Sequence, residues 1–94
     1  MPADTRVRPQ REVRTGLDQP WVVILFNDDY HAFDDVVAQV HKATGCDPAE
    51  AFQITYAAHT NGQAVAYVGA KRACERVAGV LREIDLRAEV EEAQ

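Results

Sequence analysis

Asn27-Asp28-Asp29 and, about thirty residues further on, His59 are the side chains of this chain best equipped to hold a ligand. An amide oxygen, two carboxylates and a neutral imidazole together offer acceptors and negative charge. Their natural partner is a compact cation with several N–H donors, such as a primary ammonium. A nucleophile is harder to find. Serine is absent, no glycine-rich phosphate loop occurs, and Cys46 and Cys74 carry neither CxxC spacing nor a nucleophile motif, so both read as small buried hydrophobes. His31, His41 and His59 fall into no HxH, HExxH or calcium-loop pattern, and no metal or cofactor is expected. Binding rather than catalysis is the chemistry on offer. A plainer reading stands beside it: Asn27, Asp28 and Asp29 cap the helix that follows, and His59 complements the negative end of its own helix.

The elements that would place these groups are marked in the chain. Pro20 opens WVVILF (21–26), a β-branched and aromatic run suited to a strand buried on both faces, which the NDD cluster ends abruptly. Phe33, Val36, Val37 and Val40 then recur at i, i+3, i+4 and i+7, the stripe of an amphipathic helix that Gly45 is placed to terminate. Asp47 as N-cap, Pro48 at the first helical position and Glu50 three residues after the cap start a second helix that runs to about Thr60. Asn61-Gly62 supplies a left-handed exit into AVAYV (64–68), a second strand ending near Gly69. Ala73, Val77, Val80, Leu81 and Ile84 mark a third helix, and LRAEV (86–90) alternates as a last strand. The order β-α-α-β-α-β predicts an α+β fold, a three-stranded sheet packed on three helices in a two-layer sandwich.

Ninety-four residues support one domain. Residues 1–19 lack helix or strand periodicity and read as a flexible N-terminal arm, leaving 20–94 as the folded unit. Four of the ten basic residues (Arg6, Arg8, Arg11, Arg14) lie in that arm, so the remainder carries six basic against twelve acidic side chains. An acidic body argues against nucleic acid as partner, because phosphate binding needs a concentrated basic surface. The longest apolar run is too short to span a membrane, and the N-terminal arginines are not followed by the hydrophobic core of a signal peptide, so a cytoplasmic location is the default expectation; a monomer is the simplest oligomeric state to expect.

Taken together, VVILFNDDYHAFDDVV, the helix ending AAHTNGQAVA and the element order resemble the ClpS family of adaptors for Clp AAA+ proteases over roughly residues 20–90. The resemblance implies recognition of N-degrons: the free α-amino group of a substrate held by Asn27, Asp28 and His59. It also implies an adjoining pocket for a bulky first side chain (Phe, Tyr, Trp or Leu) made by Asp29, His31, Phe33, Val36, Thr55, Ala58 and Leu86. The family usually carries Met at the place of Phe33, as a gate against β-branched side chains, and larger apolar residues at those of Thr55 and Ala58. The implied partners are N-terminal peptides of substrate proteins and a ClpA-like or ClpC-like AAA+ unfoldase, with the 1–19 arm engaged during hand-over. At the family's docking positions on the third helix, Arg72 stands where an acid is common and Val77 where a base is common. The contrasting reading is a structural protein–protein interaction module resembling the C-terminal domain of the ribosomal stalk protein, which shares strands and three helices but has no NDD and histidine amine site.

Overall fold

The structure, a computed structural model, describes residues 20–93. The arm read over 1–19 lies outside the described residues. In chain order the elements are β1 (Trp21–Phe26), α1 (Phe33–Thr44), α2 (Pro48–Asn61), β2 (Gln63–Gly69), α3 (Lys71–Arg82) and β3 (Ala88–Glu92). The strands form one antiparallel sheet in the order β2-β1-β3, with the helices packed on it. The expected α+β architecture is therefore the one observed.

Local chemistry accounts for the boundaries. Gly45 at φ 76° ends α1 by returning its N–H to the His41 carbonyl, and Gly62 at φ 90° does the same to Ala58 at the end of α2. Both positions need a left-handed backbone that a Cβ disfavours. The Asp47 carboxylate caps α2 by accepting from the Glu50 N–H at 2.8 Å. In α3 the buried residues Cys74, Val77, Ala78 and Leu81 recur at i, i+3, i+4 and i+7 and turn one stripe into the core. Val77 is fully buried, so it presents nothing to a docking partner, whereas Arg72 is exposed.

Core contacts come mainly from Val23 and Leu25 of β1, Val40 of α1, Ala51 and Ala58 of α2, and the α3 stripe. Val23, Ile24 and Leu25 are buried in succession, as a central strand requires, while Trp21, Val22 and Phe26 at the strand ends are only half-buried. A register shift between Val23 and Ile24 leaves Ala66 of β2 as an extra, bulged residue. Gln39, on the buried face of α1, donates from Nε2 to the Val80 carbonyl at 2.7 Å and so ties α1 to α3 without an orphaned amide. Of the two cysteines only Cys74 is fully buried; Cys46 is half-buried.

Two boundaries depart from the sequence reading. Helix α3 stops at Arg82, before Ile84, and β3 begins at Ala88 rather than Leu86. The intervening turn contains Asp85 at φ 65°, a left-handed position that aspartate tolerates better than most residues. The alternation read in LRAEV nonetheless holds: Leu86 and Ala88 are buried and Val90 packs against the core. Arg82 reaches the Ala88 carbonyl from Nε (3.1 Å) and Nη2 (2.5 Å), fastening the end of α3 to the start of β3 by a side chain.

Candidate functional site

Three chain reversals meet at one end of the sheet. The Asn27 N–H donates to the Gly62 carbonyl at 2.9 Å, which brings the end of β1 beside the last turn of α2 and hence beside His59. The Phe26 N–H donates to the Arg87 carbonyl at 3.0 Å, which brings the same strand end beside the turn between α3 and β3. Segments far apart in sequence are thus fastened around one point by backbone bonds whose geometry no side chain has to supply.

At that point lies a cavity of about 230 Å³. Asn27, Asp28, Asp29, His31, Phe33, Val36, Thr55, Ala58, His59 and Leu86 all line it. Every residue named from the sequence as part of the amine site or the side-chain pocket is brought to it, Leu86 from the last turn included. Leu25 and Phe26 line it as well and were not foreseen. The signal that could have found them is the strand itself: NDD follows WVVILF directly, so the residues that carry NDD to the sheet edge must also wall whatever NDD borders.

The lining is sorted by polarity. Leu25, Thr55, Ala58 and Leu86 are buried to within a few per cent, whereas Asn27, Asp29 and His59 are exposed. The cavity therefore has a mostly apolar floor and a polar mouth. Thr55, the one polar group on the floor, donates its hydroxyl to the Ala51 carbonyl at 2.8 Å, which satisfies it locally. Phe33, the first residue of α1, stands half-buried at the wall, with the Phe52 ring against it edge-on (centroids 5.2 Å, 63°) and the His59 ring at 6.2 Å and 84°. Held on two sides, the phenyl is a rigid wall.

The capping reading of NDD fails. Helix α1 begins after Ala32, with no side-chain cap bond. Asp28 instead folds its own loop: Oδ1 accepts from the N–H groups of Tyr30 (2.9 Å) and His31 (3.0 Å), and Oδ2 contacts His31 Nδ1 at 2.7 Å. Burial pushes the Asp28 carboxyl up, but the backbone bonds from His31 and Tyr30, with the His31 side chain, outweigh it and hold the carboxyl below its ordinary value. His31 in turn is raised, first by the Ile84 carbonyl that its Nε2 meets and then by Asp28. His59 does lie in the last turn of α2, but the chain exit there is made by Gly62.

Among the described residues no cluster of three or more histidine, cysteine or acidic side chains is arranged to hold a metal, and no helix is long and apolar enough to cross a membrane.

Comparison with known proteins gives three findings. The family model for ATP-dependent Clp protease adaptor protein ClpS matches residues 17–89. Human E3 ubiquitin-protein ligase UBR1 is 31% identical over 67 residues, which is 71% of this chain and 4% of that protein. The structure of Agrobacterium tumefaciens ClpS2 bound to L-phenylalaninamide superposes with a TM-score of 0.75 at 21% identity, covering 81% of this chain and 99% of the other.

Proposed function

Because the chain belongs to the ClpS family of ATP-dependent Clp protease adaptor proteins, we propose that its cavity holds the first residue of an N-degron, the α-ammonium at the mouth and a bulky apolar side chain on the floor. The observation that carries this reading is the sorting of the lining: acceptors exposed at Asn27, Asp29 and His59, apolar groups buried at Leu25, Ala58 and Leu86. An N-terminal residue is amphiphilic in that same sense. L-phenylalaninamide, the compound bound to the similar ClpS2, is a primary amine one carbon away from a benzyl group. Size agrees: a cavity of about 230 Å³ exceeds the ~150 Å³ apolar cavity that suffices for benzene.

In this arrangement Asn27 and the unprotonated nitrogen of His59 accept N–H bonds from the ammonium. Asp28 adds charge and the one lone-pair position its loop leaves open, since about four are available and three are taken. Phe, Tyr, Trp and Leu fit the floor, with Thr55 placed to accept from a phenol or indole N–H. Phe33 closes the wall beside the first Cβ and excludes the second branch of Ile and Val. His31 and Val36 complete the wall.

The adaptor itself does no chemistry. It raises the local concentration of a degron at an unfoldase by binding both, which needs only moderate affinity for each. A ClpA-like or ClpC-like AAA+ unfoldase in the cytoplasm is the proposed recipient, with a monomeric adaptor delivering the substrate and the 1–19 arm engaged during transfer.

The test is fluorescence anisotropy with labelled peptides that begin with Phe, Leu, Ile or Gly and are otherwise identical. Phe and Leu peptides are expected to bind at least about tenfold more tightly than the Gly peptide, the scale of burying one apolar side chain. Equal binding of all four would remove the pocket. With Phe33→Ala, the Ile peptide should gain on the Phe peptide by roughly tenfold, the scale of a relieved methyl clash; unchanged selection would strip Phe33 of its gate role.

A further inference from the structure

His31 faces a hydrogen-bond acceptor at each ring nitrogen. Nδ1 meets Asp28 Oδ2 at 2.7 Å, and Nε2 meets the carbonyl oxygen of Ile84, in the turn that leads to Leu86. Neither a carboxylate nor a carbonyl donates. A neutral imidazole carries one N–H and satisfies only one of the two, while the imidazolium satisfies both. We infer that His31 works as an imidazolium cross-brace that ties the amine-binding loop to the α3–β3 turn, and that ligand affinity depends on its protonation. Beyond its place in the pocket wall, His31 in this role is a positioning residue that acts through Asp28 and Leu86 on the two ends of the site, and the inference rests on the degron-binding reading of that site.

The brace has mechanical work to do. The loop at 27–32 has no side-chain cap to anchor it to α1, and Asp28 organises it through the Tyr30 and His31 N–H groups. On the other side, the turn passes through Asp85 at φ 65° before Leu86 enters the pocket floor. His31 joins the two at a side chain that is one-fifth exposed (20%). The charged groups around it favour the cation: Asp28 on its own loop and Asp85 on the facing turn. Asp29, and His59 at the end of α2, line the same cavity. The Ile84 carbonyl and then Asp28 raise its pKa above the ordinary 6.5. A raised histidine contributes its stabilisation in full below that ordinary value and loses it as pH rises through the folded one, so loosening belongs to the alkaline side.

Two measurements on the full chain test this. The first is an NMR pH titration of the His31 ring nitrogens, with no ligand present. Both nitrogens are expected to carry protons at pH values above about 6.5, the ordinary histidine value. A single-proton tautomer at that pH, or titration at or below it, overturns the proposal. The second compares a Phe-initiated peptide on wild type and on His31→Gln across the same pH range. Wild type should bind roughly tenfold more tightly on the acid side, the scale of one charge-assisted bond, with the advantage fading over the pH span in which the NMR titration occurs. The ratio cancels the titration of the peptide amine and of every group the two proteins share. A ratio that is flat with pH overturns the proposal. Should wild type bind no peptide at all, the degron reading falls and the brace is decided by the NMR titration, which needs neither ligand nor variant.

Discussion

N-acetylation of a Phe-initiated peptide is expected to cut its affinity by at least about a hundredfold. The modification leaves the phenyl ring and every later residue in place, so the floor of the pocket still receives its side chain. It removes the positive charge and two of the three N–H donors, and it adds a carbonyl that points acceptor against acceptor. Asn27 and His59 are exposed in the free protein and solvated. In the proposed complex a peptide covers them and they need its donors, and each group left unpaired costs about 1–3 kcal/mol. Two such groups come to roughly 3 kcal/mol, which is more than a hundredfold. Asn27→Ala and His59→Ala should reproduce the loss from the protein side with thermal unfolding unchanged, because neither side chain is buried in the core. An acetylated peptide that bound within a few fold of the free one would show that the ring alone is recognised.

Leu81→Ala should be the most damaging single substitution to stability. Leu81 is among the largest fully buried side chains, sits on the apolar stripe of α3 and takes no part in lining the pocket. Truncation removes apolar surface and leaves a void in the core cluster that Leu81 shares with Val23, Val40 and Val77. The cost is about 3 kcal/mol. Domains of this size hold only about 5–10 kcal/mol in total, so the melting temperature should fall by about 10–20 °C. Circular dichroism melts would show it. A shift of only two or three degrees would mean that α3 repacks freely, which the tight stripe argues against.

Much of this was legible before any coordinates. Capping and left-handed exits are written in single residues, so Asp47, Gly45 and Gly62 marked helix ends correctly. The amphipathic stripe of α3 and the alternation of Leu86, Ala88 and Val90 assigned faces, because side-chain period survives small errors in element bounds. What escaped were interactions without period. Nothing local says that Arg82 fastens the Ala88 carbonyl or that Gln39 finds that of Val80, and both side-chain ties were missed. The role of Asp28 as loop organiser was hidden for the same reason. An NDD run before a helix reads as a cap, and only the fold shows that His31, three residues on from Asp28, takes the carboxylate while Ala32 stands at the cap position of the helix. The pocket residues were placed by the resemblance to the ClpS family rather than by their chemistry. Ala58 and Thr55 carry no mark that separates a pocket floor from ordinary helix packing.

The backbone bonds that draw Asn27 to Gly62 and Phe26 to Arg87 have a thermodynamic consequence. They close the site from pieces that are neighbours only when the whole sheet is formed, so an unfolded chain has no partial version of it to offer a ligand. Occupancy then acts on the folding equilibrium by mass action: a peptide at a hundred times its dissociation constant adds about 2.7 kcal/mol to the native state. That nearly offsets the loss at Leu81, and a core-damaged adaptor should therefore survive in proportion to the supply of its own cargo.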